Sequence, residues 1–285
     1  MEFRRVLFRS VLKRHGVTDQ SVRVRRPPPP KGWYLPAVAA GRCDLDSFDF
    51  IEDLKIADGP LFHMLTGKNH SGALTDAWVF TRQNTEQTCE RLLQRWRRDG
   101  LPAYAQFDNH TVFQGPHQFA HAVGRVSRLC LALGVTPVFA PPLEHGIQNS
   151  IENFNGLWQT KVWQRYRMTS LAQVQQRSDR YVAMRRARAD ANDTPSRNAL
   201  SKRFAFNPSA PLKGQLIYIR RTNDYGQASL LGQSFAVSPN WPHRLVRCEV
   251  DFDQHCIRFF ALRRRLPDEQ PLLNTVTYLH PSQLK

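Results

Sequence analysis

The order in which two hydrophobic periods alternate between residues 47 and 167 does most to constrain what this chain can fold into. Residues 47–54 and 60–66 read as strands joined by the turn Ala57-Asp58-Gly59, and residues 74–82 as a third strand. Asn84 then caps a helix running to about Arg98, with Gln87 at capping-box spacing and Cys89, Leu92, Leu93 and Trp96 on its apolar face. Residues 103–108 are a short buried strand, 119–133 are helical in period, and 135–140 are a fifth strand. From 147 to 167, Ile147, Ile151, Phe154, Trp158 and Val162 form a helical stripe, with Gln148, Glu152, Asn155 and Gln159 on the neighbouring one. Three strands, helix, strand, helix, strand and helix imply an α/β core, a mixed five-stranded sheet flanked by helices on both faces.

Residues 171–192 add a basic helix containing Arg177, Arg180, Arg185, Arg186 and Arg188, either a solvated face or a surface for a DNA backbone. Residues 193–213 read as a linker. In 214–285 the period switches to short strands at 216–220, 228–231, 234–237, 244–251 and 256–262, which predict a small all-β barrel. Arg220, Arg221, Arg258, Arg263, Arg264 and Arg265 give that barrel a basic surface suited to phosphates. Residues 1–42 read as an N-terminal basic arm and proline-rich linker, expected to be the remnant of a helical DNA-binding region, with Pro27–Pro30 marking the boundary to the core at 43–192. Glu2-Phe3 matches what a common cloning site encodes, which sets residues 1–10 apart.

The net charge of +16 is unevenly spread: residues 1–40 carry +7, 41–160 carry −3 and 161–285 carry +12. Basic flanks around an acidic centre fit a polyanion-binding protein whose pocket holds cations; a basic surface that only aids solubility is the alternative. Cys43, Cys89, Cys130, Cys248 and Cys256 show no Cys-x-x-Cys pair and read as reduced thiols. With no membrane-length apolar run and no signal-like segment, a soluble cytoplasmic protein is expected.

The acids of the centre form a pattern. Glu152 sits in Pro-Leu-Glu-His-Gly-Ile-Gln-Asn-Ser-Ile-Glu-Asn-Phe-Asn, on the first turns of a helix, and two strands contribute Asp49 (Phe48-Asp49-Phe50-Ile51) and Asp108 (Gln106-Phe107-Asp108-Asn109). Three carboxylates about 5 Å apart would repel one another by roughly 3 kcal/mol per pair at an effective dielectric near 20, a cost that divalent cations remove. Oxygen-rich, histidine-poor ligation selects Mg²⁺ or Mn²⁺. Asp44, Asp46 and Asp53 compete with Asp49, which alone sits centrally among apolar strand residues. His117 and His121 are spaced to share a helix face as metal ligands, but a pair without a third ligand is more often structural. His110 and His145 lie near the acids in sequence and are candidates to reach a scissile phosphate, whereas Trp158 and Trp163 read as core.

With Asp49 on the first strand, Asp108 on the fourth and Glu152 on the helix after the fifth, residues 43–190 resemble the DDE transposase and retroviral-type integrase superfamily, nearest to bacterial insertion-sequence transposases with an integrase catalytic core. The terminal barrel is similar to the small DNA-binding barrel that follows such cores. The sequence departs from the family at His110, where glycine is common, and at Asn153, Asn155 and Gly156, where a basic residue often follows the glutamate. A gap from Asp108 to Glu152 longer than the usual one implies an insertion around residues 115–124.

The resemblance implies a ribonuclease-H-like fold and Asp49, Asp108 and Glu152 as catalytic residues holding two Mg²⁺ or Mn²⁺ ions. It further implies a transposase that cleaves mobile-element ends and joins them to target DNA, working as a homo-oligomer on double-stranded DNA in association with the bacterial nucleoid. Lys161, Arg185, Arg186, Arg220, Arg221, Arg263, Arg264 and Arg265 are the candidate DNA contacts, with Lys161 or the Arg185-Arg186 helix standing in for the missing basic residue. Two other readings remain: a catalytically inactive DNA-binding protein derived from a transposase, and a nuclease that cuts without joining.

Overall fold

A computed structural model describes residues 29–116, 118–142, 144, 146–189 and 196–283. The expectations for residues 1–28, His117, His145 and the start of the linker lie outside these residues.

A short helix α1 (Pro36–Ala39) leads into an antiparallel meander of β1 (Leu45–Lys55), β2 (Leu61–Asn69) and β3 (Thr75–Phe80). Strand alternation sends Phe48 and Phe50 of β1 to one face and Asp49 and Ile51 to the other. Helix α2 (Thr85–Asp99) starts where Asn84 Oδ1 accepts the Glu86 and Gln87 amides at 2.8 and 3.0 Å, as its capping sequence predicts. It ends at Gly100, which has φ +81°, a conformation that disfavours any side chain. Strand β4 (Tyr104–Phe107), the short helix α3 (Thr111–Gln114), helix α4 (Arg125–Ala132) and β5 (Thr136–Phe139) follow.

The helix expected over 119–133 begins only at Arg125, because Gly115 and Gly124 pack backbone to backbone: a Cβ on Gly115 would lie 2.6 Å from the Gly124 Cα. The described residues between them are turn and loop. The helix expected over 147–167 is α5 (Asn149–Trp158) followed by a π-helical turn, Gln159–Trp163. Helix α6 (Leu171–Ala187) closes this half of the chain.

The C-terminal strands are β6 (Gln215–Arg221), β7 (Gln227–Leu230), β8 (Gln233–Ala236), β9 (Leu245–Asp251), β10 (Cys256–Ala261) and β11 (Leu272–Thr277). They do not form a detached barrel beside a five-stranded sheet. Strand β6 pairs parallel to β5 through Val138↔Ile217 and Phe139↔Tyr218, so one mixed sheet of nine strands runs β11-β10-β9-β6-β5-β4-β1-β2-β3, and only β7-β8 stands apart. The reason lies in β6 itself: Leu216 to Arg220 are all buried, as in a central strand covered on both faces.

On one face, Phe48, Phe107, Phe113, Leu92, Trp96 and Leu129 join α2 and α4 to the sheet. On the other, Ile51, Phe62, Met64, Ile151, Phe154, Trp158 and Val174 hold α5 and α6. Trp158 is fully buried with Nε1 donating to Ser178 Oγ (3.0 Å), and Trp163, partly buried, packs edge-on against Phe62 at the margin of this core. No described helix is long and apolar enough to cross a membrane, and all five cysteines are unpaired thiols.

Candidate active site

Asp49 faces α5 from the middle of β1, directly opposite Thr66 of β2. Asn155, one turn after Glu152 on α5, donates Nδ2 to Asp49 Oδ2 at 2.8 Å. The Thr66 hydroxyl lies 2.6 Å from Asn155 Oδ1 and 3.0 Å from the Asp49 carbonyl, sharing one proton between them. Asn155 and Thr66 thus set the orientation of Asp49. The local sequence gives no sign of this, since the two are 89 positions apart.

Asp108 follows the last residue of β4. Its Oδ1 accepts the His110 amide at 3.0 Å. The His110 ring accepts the Val112 amide at Nδ1 (3.2 Å), which leaves Nε2 to carry the proton, 3.9 Å from Glu52. His110 thus caps the start of α3. Glu152 lies in the first turn of α5 with its side chain exposed.

Asp49 registers the proximity of these groups. Burial, then the charge of Asp108, then those of Glu152 and Glu52, push its pKa up to about 7, opposed by the Phe50 amide. Burial also raises Asp108, with Glu52 adding to it and His110 opposing. Glu52 is the acid that sequence reading missed; the bulge between Ile51 and Leu54 breaks the alternation by which its side could be read. Two of the competing acids, Asp44 and Asp46, are neutralised elsewhere. Arg95 is fully buried against Asp46 (2.8 Å) and Asp76, and Arg197 pairs with Asp44 and Asp46. Although burial disfavours its ionisation, these two guanidinium groups hold the Asp46 carboxyl well below the usual range.

Among the described residues, no three His, Cys, Asp or Glu side chains form a ready metal cage. The donor chemistry of Asp49, Asp108 and Glu152 nevertheless fits a hard divalent cation: the ligands are all oxygen, and their mutual repulsion, visible at Asp49, is what a cation relieves.

Two basic cavities lie along α5 and α6. One, of about 650 Å³, opens beside the first turn of α5 and is lined by Lys31, Lys68, His70 and Arg264 together with Gln106 and Asn153. Lys68, also missed from sequence, donates Nζ to the Ser150 carbonyl (3.2 Å); burial first, then Lys31 and Arg185, lower its pKa to about 8. The other, about 620 Å³, runs between the π turn and α6; its lining includes Lys161, Arg165, Arg177, Arg180, Arg185 and Arg188, and no acid. Arg177 stacks on Tyr166 at 4.3 Å.

The remaining candidate contacts are distributed differently. Arg186 is spent on Asp76, Asp99 and the Thr75 carbonyl, and Arg220 is buried against backbone carbonyls. Arg221 and Arg264 both pair with Glu144, Arg263 pairs with Glu269 at 3.2 Å, and Arg265 is exposed. Sequence alone cannot separate a solvated arginine from an ion-paired one.

No protein-family model and no curated protein matches the chain. Among solved structures, the simian T-cell lymphotropic virus intasome aligns at 12% identity and a TM-score of 0.39, over 69% of this chain and 64% of that one. The catalytic core domain of BIV integrase aligns at 18% identity and 0.32, over 46% of this chain and 77% of that domain. The HTLV-2 integrase catalytic core domain in complex with magnesium gives 14% and 0.33, over 47% and 81%. These likenesses are distant, and the functional reading rests on the residues of the site.

Proposed function

We propose that this protein is a metal-dependent polynucleotidyl transferase, a DDE-type transposase that cleaves the ends of a mobile DNA element and joins them to target DNA. The observation that carries the reading is the placing of Asp49 in mid-β1, held by Asn155 of the helix that bears Glu152 and beside β4, which Asp108 follows; burial and the charges of Asp108 and Glu152 push its pKa up to about 7. Asp49, Asp108 and Glu152 would hold two Mg²⁺ or Mn²⁺ ions. Bound there, the ions supply activation of a water or 3′-hydroxyl and charge neutralisation at the scissile phosphate.

The protein's own contribution is positioning. Asn155 aims Asp49, the His110 amide fixes Asp108 Oδ1, and α5 delivers Glu152. Lys68 and Lys31 offer one DNA strand a cationic cavity beside the first turn of α5, and the Lys161–Arg185 groove tracks a phosphate backbone. Handling two element ends requires at least a pair of subunits on double-stranded DNA, acting at the nucleoid.

Strand transfer on element-end oligonucleotides with Mn²⁺ tests the reading. Asp108→Asn and Glu152→Gln should each abolish joining, by about 10³-fold or more, while DNA binding persists. Full joining by both variants would refute it. A second reading, a DNA-binding protein derived from a transposase but lacking catalysis, is favoured by one observation: Asp49 Oδ2 is already engaged by Asn155 while Glu152 stands exposed. A nuclease that cuts without joining would leave nicked products only.

A further inference from the structure

Between the β7-β8 hairpin and the loop after β4 lies a cavity of about 330 Å³ that the carboxylate site does not use. Three of its polar side chains are not fully satisfied inside the protein. Arg220, 8% exposed, donates Nε to the Ser229 carbonyl (3.0 Å) and Nη1 to the carbonyls of Ile219 (2.9 Å) and Ala140 (3.5 Å). Every acceptor is a backbone oxygen; among the described residues no carboxylate pairs with this guanidinium, and Nη2 has no acceptor. Gln114, 5% exposed, has an amide group without a partner among those residues. Asn109 donates Nδ2 to the same Ala140 carbonyl (2.5 Å), while its Oδ1 is buried without a donor.

Each deficit points the same way. A buried cation without a counter-anion is costly, and the lowered pKa of Arg220 has burial as its leading cause. The Gln114 amide lines the cavity without a partner among the described residues, and a ligand edge would satisfy it. Because the Ala140 carbonyl receives both Asn109 and Arg220, guanidinium and carboxamide lie side by side. Leu230, Leu231 and Pro142 supply apolar walls, and the volume falls at the lower end of small-molecule pockets, about 300–1,000 Å³. The hairpin wall is fixed by close packing: a Cβ on Gly232 would lie 2.5 Å from the Phe119 carbonyl oxygen, and the His121 amide donates to the Leu231 carbonyl.

We propose that this cavity holds a single nucleotide, its phosphate on Arg220, its base edge on Gln114, and its base face against Leu230 and Leu231. Carboxamides pair with base edges that carry adjacent donor and acceptor, which favours adenine. The nucleotide is either one unstacked from a DNA strand, since the lining residue Asn109 adjoins Asp108 in the chain, or a free nucleoside monophosphate. The inference uses the proposed action on DNA only as a source of nucleotide.

Calorimetric titration of the metal-free protein with dAMP, dTMP and inorganic phosphate tests the pocket, and a single-stranded oligonucleotide carrying 2-aminopurine tests the source. dAMP should bind at least about tenfold more tightly than inorganic phosphate. Gln114→Leu and Arg220→Gln should each weaken it by about tenfold or more, with Gln114→Leu decisive at an unchanged melting temperature should Arg220→Gln fail to fold. A rise in 2-aminopurine fluorescence assigns the pocket to an unstacked strand nucleotide; dAMP binding without that rise assigns it to a free one, and both support the site. Absence of both signals, phosphate binding as tight as dAMP, or binding undiminished in Gln114→Leu overturns it. Since no metal is added and Asp49, Asp108 and Glu152 are intact, a failure of strand transfer leaves this result standing.

Discussion

Asp49 is the side chain at which charge, burial and position meet. Its raised pKa makes its ionisation a liability for the folded state: the unfolded chain loses this proton near pH 4, the folded one near pH 7. Between those values the contribution of Asp49 to stability falls as pH rises, and above pH 7 the loss is complete. Asp49→Asn, which keeps an acceptor for Asn155, should therefore be more stable than the parent at pH 8 without divalent metal, by up to about 2 kcal/mol after allowance for its partial exposure, and should converge with it below pH 4. Denaturant unfolding at both pH values measures the difference. The position of Asp49 was legible because Phe48 and Phe50 alternate around it. Its neighbours were not: Thr66 and Asn155 meet it only through strand pairing and helix docking, and no local pattern reports either.

At the scale of elements, α6 shows what composition can and cannot tell. Its arginines all read as one basic face, yet Arg186 turns inward to Asp76 and Asp99 while Arg177, Arg180, Arg185 and Arg188 line the groove. Arg180→Glu should weaken double-stranded DNA binding across sequences and lower the slope of log affinity against log salt by about 1, whereas Arg186→Gln should lower stability more than affinity; fluorescence anisotropy over a salt series separates the two. The buried cluster beneath α2 is a further case. Arg95→Met leaves Asp46 facing Arg197 alone in the core and should cost about 3–5 kcal/mol in denaturant unfolding. Asn84 and its cap were legible because capping is a local bond, whereas the late start of α4 depends on Gly115 meeting Gly124 and could not be read from period.

For the whole molecule, the shared sheet replaces two expected units with one continuous hydrogen-bonded layer. The run Leu216-Ile217-Tyr218-Ile219 carried the signal of a central strand, but the sequence does not name the neighbour, and β5 lies more than seventy residues earlier. A chain ending at residue 213 would bare β5 and the apolar residues that β6 covers, so it should aggregate or unfold where the full chain melts cooperatively; a soluble, cooperatively folded fragment would show that the two parts are independent.

The central claim is that Asp49, Asp108 and Glu152 act together on a divalent cation. Calorimetric titration with Mn²⁺ tests it most directly. The parent chain should take up Mn²⁺ with release of protons at pH 7, where Asp49 is partly protonated, and Asp108→Asn should lose that binding while retaining its melting temperature. Equal Mn²⁺ uptake by parent and Asp108→Asn, or none by the parent, would contradict the account.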